Sequence, residues 1–330
     1  MTQPIDVLTI GNAIVDVIAK VDENFIMQEK LVKGSMNLID EARAEGLYGV
    51  MGPAMEISGG SAGNTAAGVA SFGGKAAYFG KVRNDQLGGI YRHDMRSQGV
   101  LFDSIAATDG PATARSFILV TPDGERTMNT YLGACVNLDE ADVDAEIVRR
   151  AQVTYMEGYL YDKPAAKAAF RAAAKISQGA GRLTSITLSD SFCVERHRDD
   201  FLDLIRNSID IVFANETEIK ALYKTQSFSG AVDAARKDCS IVVVTRSEKG
   251  CVVVKDQETI EVPAHPVKTV VDVTGAGDLF AAGFLFGYTN GKPLAQCARL
   301  GSLAASEVIS HVGARPEVNL AAFAKSQGLL

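Results

Sequence analysis

Short apolar runs alternate with helical patterns along most of the chain. The runs at 7–10, 75–81, 153–156, 184–188, 210–214 and 241–245 have the length and apolar, often β-branched composition of buried strands. Helical patterns stand after the glycine cluster at 59–64 as far as 72, after Asn215, and at 86–98, 139–150, 164–177, 195–207, 228–238, about 276–289 and 294–311. Strands that alternate with helices usually form a parallel sheet covered on both faces. The pattern therefore predicts a three-layer α/β fold, with a central, mostly parallel sheet and helices on both of its faces.

Two segments break this alternation. Residues 116–120 and 126–131 flank Pro122-Asp123-Gly124, a turn signal, and the absence of a helix between them predicts a hairpin. Residues 12–58 have weaker periodicity and many turns. We predict one domain over 1–330, in which segments of about 12–58 and 112–133 form a small β-sheet that acts as a lid over the carboxyl edge of the main sheet.

Composition narrows the classes of function. The chain has 33 Lys and Arg against 40 Asp and Glu, a net charge of −7, and such an acidic chain is a poor partner for nucleic acid or an anionic membrane. Its 47% hydrophobic and 22% charged residues are typical of a globular protein with a sizeable core. The five cysteines include no Cys-x-x-Cys pair, and we find no leader sequence and no apolar run of about 20 residues. We therefore expect a cytoplasmic protein with no nucleic-acid or membrane partner.

The segment from Asp272 to Phe284 holds the most informative chemistry. Gly275 and Gly277 allow a tight turn just before an apolar helix, so that the amides of Gly275, Ala276 and Gly277 can point free N–H groups at an anion. Asp278 follows in the first turn. It is either an ordinary residue of a helix start or a base that takes a proton from an attacking hydroxyl beside the bound anion.

A second glycine cluster, Gly59-Gly60-Ser61-Ala62-Gly63-Asn64, opens another helix. It is either a plain strand–helix turn or a place where the backbone approaches substrate hydroxyls, with Asn64 as donor and acceptor. No Gly-Lys-Ser/Thr follows it, which excludes a Walker loop, and strand 7–10 lacks the Gly-x-Gly-x-x-Gly of a dinucleotide-binding fold.

Three acidic or amide side chains are further candidates. Asn215 and Glu218 follow strand 210–214, where they either cap a helix or hold water bound to Mg²⁺. Asp16 is a lone acid in an apolar run, either on an exposed edge or bound to two neighbouring hydroxyls of a sugar. The four histidines are scattered and no Gly-x-Ser-x-Gly occurs, which disfavours metalloenzymes and hydrolases.

Together these motifs resemble the two signatures of the ribokinase-like (PfkB) carbohydrate kinase family. The signatures are Gly59–Asn64 and Asp272–Phe284, and Asn215-x-x-Glu218 resembles the magnesium-and-phosphate motif of that family. Within the family the chain is most similar to adenosine kinases. The segment Gly11-Asn12-Ala13-Ile14-Val15-Asp16 resembles the start of those enzymes, and Arg126 resembles the arginine of their lid. The resemblance implies an ATP- and Mg²⁺-dependent transfer of the γ-phosphate to the 5′-hydroxyl of a nucleoside, adenosine to AMP in purine salvage.

The resemblance also implies roles for individual residues. It makes Asp278 the base, Gly275, Ala276 and Gly277 the anion hole, and Arg126 a further positive charge at the phosphates. The sugar ligands are Asn12, Asp16, Gly59, Gly60 and Asn64. Thr245, Ser247 and Gly250 correspond to a loop near the ATP ribose and phosphates, with Asn215 beside it, and His311 and Gly313 to the adenine pocket. Glu218 corresponds to the residue that holds Mg²⁺ through water. Asp272 and Thr274 match positions that bind a monovalent cation, such as K⁺, in some relatives.

Several alternatives stay open at this point. The acceptor is either a nucleoside or a sugar such as ribose or fructose, because the nucleobase pocket is matched only by Tyr159 and Phe102. A sensor without catalysis on the same fold is a second alternative, against which the retained Asp278 argues. A nicotinamide dehydrogenase is disfavoured by the missing fingerprint. The sequence leaves the choice between a monomer and a homodimer open, and also any dependence on K⁺.

Overall fold

The computed structural model describes residues 3–330. Its main sheet consists of β1 (Ile5–Ile10), β5 (Ala76–Phe79), β8 (Ala151–Glu157), β9 (Leu183–Thr187), β10 (Ile211–Asn215), β11 (Ile241–Thr245), β12 (Cys251–Lys255) and β13 (Glu258–Val262). The spatial order is β13-β12-β11-β10-β9-β8-β1-β5. In this order the six neighbouring strands β11, β10, β9, β8, β1 and β5 run parallel to one another. The hairpin β12–β13 adds two strands at one edge, with antiparallel pairing of β12 to β11 and of β13 to β12. The predicted mostly parallel sheet is confirmed.

A second, smaller sheet is also present, as predicted. It consists of β2 (Ile14–Lys20), β3 (Met36–Leu38), β4 (Ala54–Ser58), β6 (Ala114–Val120) and β7 (Arg126–Tyr131), in the order β3-β7-β6-β2-β4. The predicted hairpin is the antiparallel pair β6–β7, in which Ile118 faces Met128. That this sheet moves as a lid stays a prediction.

Helices cover both faces of the main sheet and one face of the small sheet. They are α1 (Glu23–Gln28), α2 (Glu41–Val50), α3 (Ser61–Ser71), α4 (Gln86–Ser97), α5 (Ala145–Arg150), α6 (Pro164–Gly179), α7 (Ser191–Ser208), α8 (Glu216–Leu222), α9 (Phe228–Asp238), α10 (Ala276–Thr289), α11 (Leu294–Val308) and α12 (Leu320–Ser326). Alternate residues of a buried strand point to opposite faces, so Val243 joins a core with Phe284 of α10, and Val242 a second core with Phe201 of α7.

The structure corrects several helix predictions. The helix expected at 139–150 is a 3-10 turn, Glu140–Asp142, followed by α5, because Asp144 caps a new helix start with its side chain. The helices α1, α2 and α12 were not predicted. In α2 only Ala44 and Leu47 are buried, so the apolar periodicity that marks a helix in the sequence is weak.

The small sheet has one covered face and one open face. Val15 and Phe117 lie on the covered face, in the same core as Leu47 of α2. Residues one position along each strand point the other way, so Asp16 and Ile18 lie on the open face. Arg126 of β7 shares the open face and forms an ion pair with Asp272, which precedes α10. The open face is therefore turned towards the start of α10.

Candidate active site

The loop before α10 has the geometry of an anion-binding helix start. Gly275 adopts a left-handed conformation with φ of 79°, and a Cβ there would lie 2.8 Å from Cβ of Ala314. Glycine is therefore required at this position. The amide of Ala276 donates to the carbonyl of Val273 at 3.2 Å and must release this bond to bind an anion. The other amides of the first turn of α10 have no partner within the helix, and a Cβ on Gly277 would meet nothing within 4 Å. Space is thus open in front of N–H groups that favour a negative charge.

The loop before α3 brings the backbone close to two predicted ligands. Gly60 has φ of 82°, and a Cβ there would lie 2.1 Å from the carbonyl oxygen of Asn12. A Cβ on Gly59 would lie 2.3 Å from Oδ2 of Asp16, so the carboxylate of Asp16 rests directly against this glycine. Both glycines are needed because Asn12 and Asp16 occupy the space that a side chain would take.

The two glycine-rich loops meet at the carboxylate of Asp278. Ser61 donates its hydroxyl to Oδ1 at 2.6 Å, and Asn64 donates its amide to Oδ2 at 2.8 Å. Burial raises the pKa of Asp278, while these two hydrogen bonds and the charge of Arg315 oppose the rise. The side chain is thus not a cap of its own helix. It is an oriented carboxylate with a raised affinity for a proton, as a general base requires.

Two amide oxygens beside this carboxylate lack a partner within the described structure. They are Oδ1 of Asn12 and Oδ1 of Asn64, both buried. A buried acceptor without a donor is costly unless a ligand supplies one. Together with the carboxylate of Asp16 they form an acceptor-rich surface that suits a molecule with several hydroxyl groups.

Glu157, at the end of β8, holds Asn12 and the start of α3 in place. The sequence did not predict this role. Its carboxylate accepts hydrogen bonds from Nδ2 of Asn12 at 2.7 Å and from the amide of Ala62 at 2.8 Å. Burial raises the pKa of Glu157 to about 7. An acid at the carboxyl end of an otherwise buried strand is the signal that would have identified it.

Arg126, Asp272, Thr274 and Gly313 form one cluster. Oδ2 of Asp272 lies 2.6 Å from Nη1 of Arg126 and accepts the amide of Gly313 at 3.0 Å. Oδ1 accepts the amide and the hydroxyl of Thr274. Each oxygen of Asp272 thus has two donors. A monovalent cation at Asp272 and Thr274 would have to share this carboxylate with the guanidinium or displace it.

The residues assigned to the nucleotide lie at the carboxyl ends of the strands further along the main sheet. Asn215 and Thr245 are register partners at the ends of β10 and β11. Ser247 lies in the turn that follows. Gly250 has φ of 85°, and a Cβ on Gly250 would lie 2.0 Å from the carbonyl oxygen of Val262. The hairpin by itself therefore accounts for this glycine. His311 is separate from them, with Nε2 at 3.3 Å from Oε1 of Glu307.

Asn215 and Glu218 form a capping box. The Asn215 side chain accepts the amide of Glu218, and the Glu218 carboxylate accepts the amide of Asn215. Glu218 is 5% exposed, and burial raises its pKa to about 7. Among the residues that the structure describes, no cationic side chain contacts this carboxylate, which fits the water shell of Mg²⁺, since that ion keeps several waters and needs few protein oxygens. Within residues 3–330 no three His, Cys, Asp or Glu side chains cluster as a metal cage.

Two aromatic candidates for a base pocket have different positions. Phe102 is fully buried and packs in the core with Tyr78 and Tyr91, so it lines no pocket and this prediction is wrong. Tyr159 is 39% exposed just after β8, where its hydroxyl donates to the carbonyl of Ser189.

No helix in the described part of the chain is long and apolar enough to cross a membrane.

The comparisons with known proteins agree on one family. Residues 52–320, which include both glycine-rich loops, match the model of the pfkB family carbohydrate kinases. A probable sugar kinase protein from Rhizobium etli CFN 42 is 55% identical, with a TM-score of 0.93 and 100% of both chains covered. The adenosine kinase from Sinorhizobium meliloti is 56% identical, with a TM-score of 0.91, over 99% of this chain and 100% of that one. An uncharacterized sugar kinase from Archaeoglobus fulgidus is 28% identical over 250 residues, 75% of this chain and 96% of the relative.

Proposed function

Because the chain belongs to the pfkB family of carbohydrate kinases, we propose that it transfers the γ-phosphoryl group of ATP to the 5′-hydroxyl of adenosine, giving AMP. Membership of the family makes the chain a phosphotransferase with a hydroxyl acceptor. The observation that carries the proposal is the meeting of the two glycine-rich loops at Asp278, held by Ser61 and Asn64. This arrangement brings an acceptor-rich surface and an anion-binding helix start to one carboxylate.

The acceptor is held by the first loop and the small sheet. Asp16 accepts hydrogen bonds from two neighbouring hydroxyls of the ribose, and the unpartnered oxygens of Asn12 and Asn64 accept from others. The backbone at Gly59 and Gly60 has no side chains, so the sugar can approach it closely. These contacts aim the 5′-hydroxyl at Asp278.

The transfer itself is an in-line displacement. Asp278 takes the proton of the 5′-hydroxyl as that oxygen forms its bond to the γ-phosphorus, and the bond from this phosphorus to the β–γ bridging oxygen breaks, releasing ADP. The amides of Gly275, Ala276 and Gly277 hold the charge on the transferred oxygens. Arg126 has an unpartnered Nη2 for the same charge. The small sheet excludes water, which would otherwise compete with the hydroxyl.

The nucleotide lies along the carboxyl edge of the main sheet. Its ribose and phosphates contact Thr245, Ser247 and Gly250, and its base the region of His311 and Gly313. Asn215 and Glu218 are the residues that would hold Mg²⁺ through water. When bound, Mg²⁺ neutralises phosphate charge and orients the γ-phosphoryl group. A monovalent cation at Asp272 and Thr274 belongs to this proposal only as an optional activator.

One feature of the small sheet favours a nucleoside over a free sugar. Ile18 lies two residues beyond Asp16 on the open face, in register with Ile118, which is in register with Met128. These side chains form an apolar row next to the carboxylate that holds the ribose. Ile118 is already buried at 2% exposure, so the surface that a ligand can cover is that of Ile18 and Met128, which are half-buried. A nucleobase can cover this row and gain from the burial of apolar surface, whereas ribose or fructose cannot.

An acceptor panel tests the proposal. ATP–Mg²⁺ is mixed with adenosine, inosine, guanosine, ribose or fructose, and ADP release is compared as kcat/KM. We expect kcat/KM for adenosine to exceed that for ribose or fructose by about a hundredfold, because burial of a base against apolar side chains is worth about 2–3 kcal/mol. A preference for ribose or fructose would support the sugar kinase alternative. No ADP release with any acceptor, despite binding, would support a sensor.

We further propose that the enzyme acts in the cytoplasm on small molecules alone. All five cysteines are buried thiols, which suits a reducing compartment. The net charge of −7 disfavours nucleic acid as a partner.

A further inference from the structure

A short segment after α11, Gly313-Ala314-Arg315, touches both glycine-rich loops. The amide of Gly313 donates to Asp272. Ala314 packs closely on Gly275, because a Cβ on Gly275 would lie only 2.9 Å from the Cα of Ala314. The next residue reaches the other loop. Arg315 donates Nε to the carbonyl of Ser58 at 3.0 Å and Nη1 to the carbonyl of Gly63 at 2.8 Å. Three consecutive residues thus bridge the two halves of the site.

The sequence around the first loop leaves room for this guanidinium. A Cβ on Gly63 would lie 3.3 Å from Nη2 of Arg315 and 2.5 Å from the hydroxyl of Tyr91. Tyr91, on α4, in turn donates this hydroxyl to the carbonyl of Gly59. Arg315 and Tyr91 therefore support the loop through its backbone carbonyls, those of Ser58, Gly59 and Gly63. A planar fork donates to two carbonyls from separate nitrogen atoms in a fixed geometry, whereas a lysine has a single nitrogen and cannot reproduce that spacing.

We propose that Arg315 is a positioning residue that sets the spacing between the acceptor-binding loop at 58–63 and the loop at the start of α10. This inference rests on the proposed function, because it assigns the acceptor to one loop and the transferred phosphoryl group to the other. Productive transfer requires the reacting atoms to be held within a fraction of an ångström, so a change in this spacing affects the reaction more than the fold.

Arg315 also acts through its charge. Its hydrogen bonds go to neutral groups, so its full charge remains to face Asp16 and Asp278 and lowers the pKa of both carboxyls against the effect of burial. The other charged or titratable groups that face these two acids are Arg126, Asp272, Glu157, Tyr155, Tyr159 and Tyr91. Among these groups, Arg315 is the cation whose charge acts on both Asp16 and Asp278.

The test compares R315M and R315K with the wild type and with R236M. Arg236 is a matched control, because its guanidinium also donates to two carbonyls, those of Asp256 and Glu258, at the far edge of the main sheet. We expect R315M to raise the acceptor KM by about tenfold to a hundredfold. We also expect it to move the acidic limb of kcat/KM upwards by about one pH unit. R315K keeps the charge and loses the fork, so its limb stays at the wild-type pH while its KM stays raised.

The outcomes separate positioning from mere stability. A wild-type KM and limb in R315M, or equal changes in R236M, would overturn the proposal. If R315M does not fold, the KM of R315K decides the positioning role. If the wild type phosphorylates no acceptor, the proposed function fails, and amide hydrogen exchange decides the inference. Exchange at 272–278 is expected to rise at least about tenfold in R315M or R315K but not in R236M, and unchanged exchange would rule out the coupling.

Discussion

Arg126 of the small sheet and Asp272 of the loop before α10 form an ion pair of 2.6 Å across the cleft. The two side chains are 13% and 3% exposed, so the pair is almost withdrawn from water. Since Thr274 and Gly313 saturate the rest of the carboxylate, Arg126 is its charge partner. The pair links the start of β7 to the predicted phosphate cradle, and Nη2 of Arg126 has no partner among residues 3–330, which leaves it for an arriving anion.

Removal of Arg126 is expected to destabilise the protein strongly. R126M leaves the carboxylate of Asp272 buried without its cation, which costs about 3 kcal/mol. The double variant R126M/D272N should recover most of that stability but not the turnover. Urea unfolding of the four proteins in the cycle measures the coupling. R149M is the control, since its pair with Glu146 is exposed and is worth less than about 1 kcal/mol. Equal losses in R126M and R149M would contradict the importance of the pair.

Asp278→Asn is expected to separate catalysis from binding. The amide keeps the shape but cannot accept the proton, so kcat should fall by about 10²–10⁴ while the affinity for ATP changes little. Isothermal titration with ATP and initial rates of ADP release measure the two effects. D144N is the control, because Asp144 also stands at a helix start and asparagine preserves its cap. Unchanged turnover in D278N would remove Asp278 from the mechanism.

Gly275 and Gly277 are expected to respond differently to alanine. In G275A the new Cβ meets Ala314 and the left-handed conformation is strained, so stability should fall by about 1–2 kcal/mol. In G277A the Cβ meets nothing and lies in a helix, so stability should stay equal or rise by about 0.5 kcal/mol. Turnover should fall in both, because either methyl group disturbs the cradle. Full activity of G277A, measured beside its unfolding curve, would contradict a phosphoryl group at this position.

Features that depend on sequence neighbours could be predicted, and those that depend on distant contacts could not. Gly275 and Asp278 stand next to an apolar helix, so local rules already point to an anion site. Arg315 follows no pattern in the sequence, because its partners Ser58 and Gly63 lie more than 250 residues away. The covering of the small sheet by α2 was missed for a similar reason, since two buried side chains are enough to hold that helix in place.

The apolar row beside Asp16 yields a prediction on the choice of acceptor. Ile18→Thr keeps the β-branched shape of the strand residue but removes apolar surface next to the ribose site. The KM for adenosine should rise about fivefold to tenfold, and the KM for ribose less than twofold. M36T is the control, because Met36 belongs to the same row but lies at the sheet edge and is 50% exposed. Equal effects on adenosine and ribose would argue against a base on this row.

Asp16 is expected to cost stability at high pH in exchange for acceptor binding. Burial raises the pKa of Asp16 from 3.8 to about 7, so between these values the folded protein binds the proton more tightly than the unfolded chain. The stability that protonation of this carboxyl contributes is fully present below about pH 4 and is lost as the pH rises through 7. D16N removes the charge, and it should therefore be more stable than the wild type at pH 8 by about 4 kcal/mol and nearly equal to it at pH 4. Urea midpoints at the two pH values measure this difference, with D109N, an exposed acid, as the control. The same variant should bind the acceptor more weakly, because one of the two acceptor oxygens becomes an NH2 donor and the charge is lost. In the wild type kcat/KM should fall as the pH drops below 7. A D16N protein that is less stable at pH 8 would mean that the carboxylate has a compensating partner, and the acid would then belong to the scaffold rather than to the sugar.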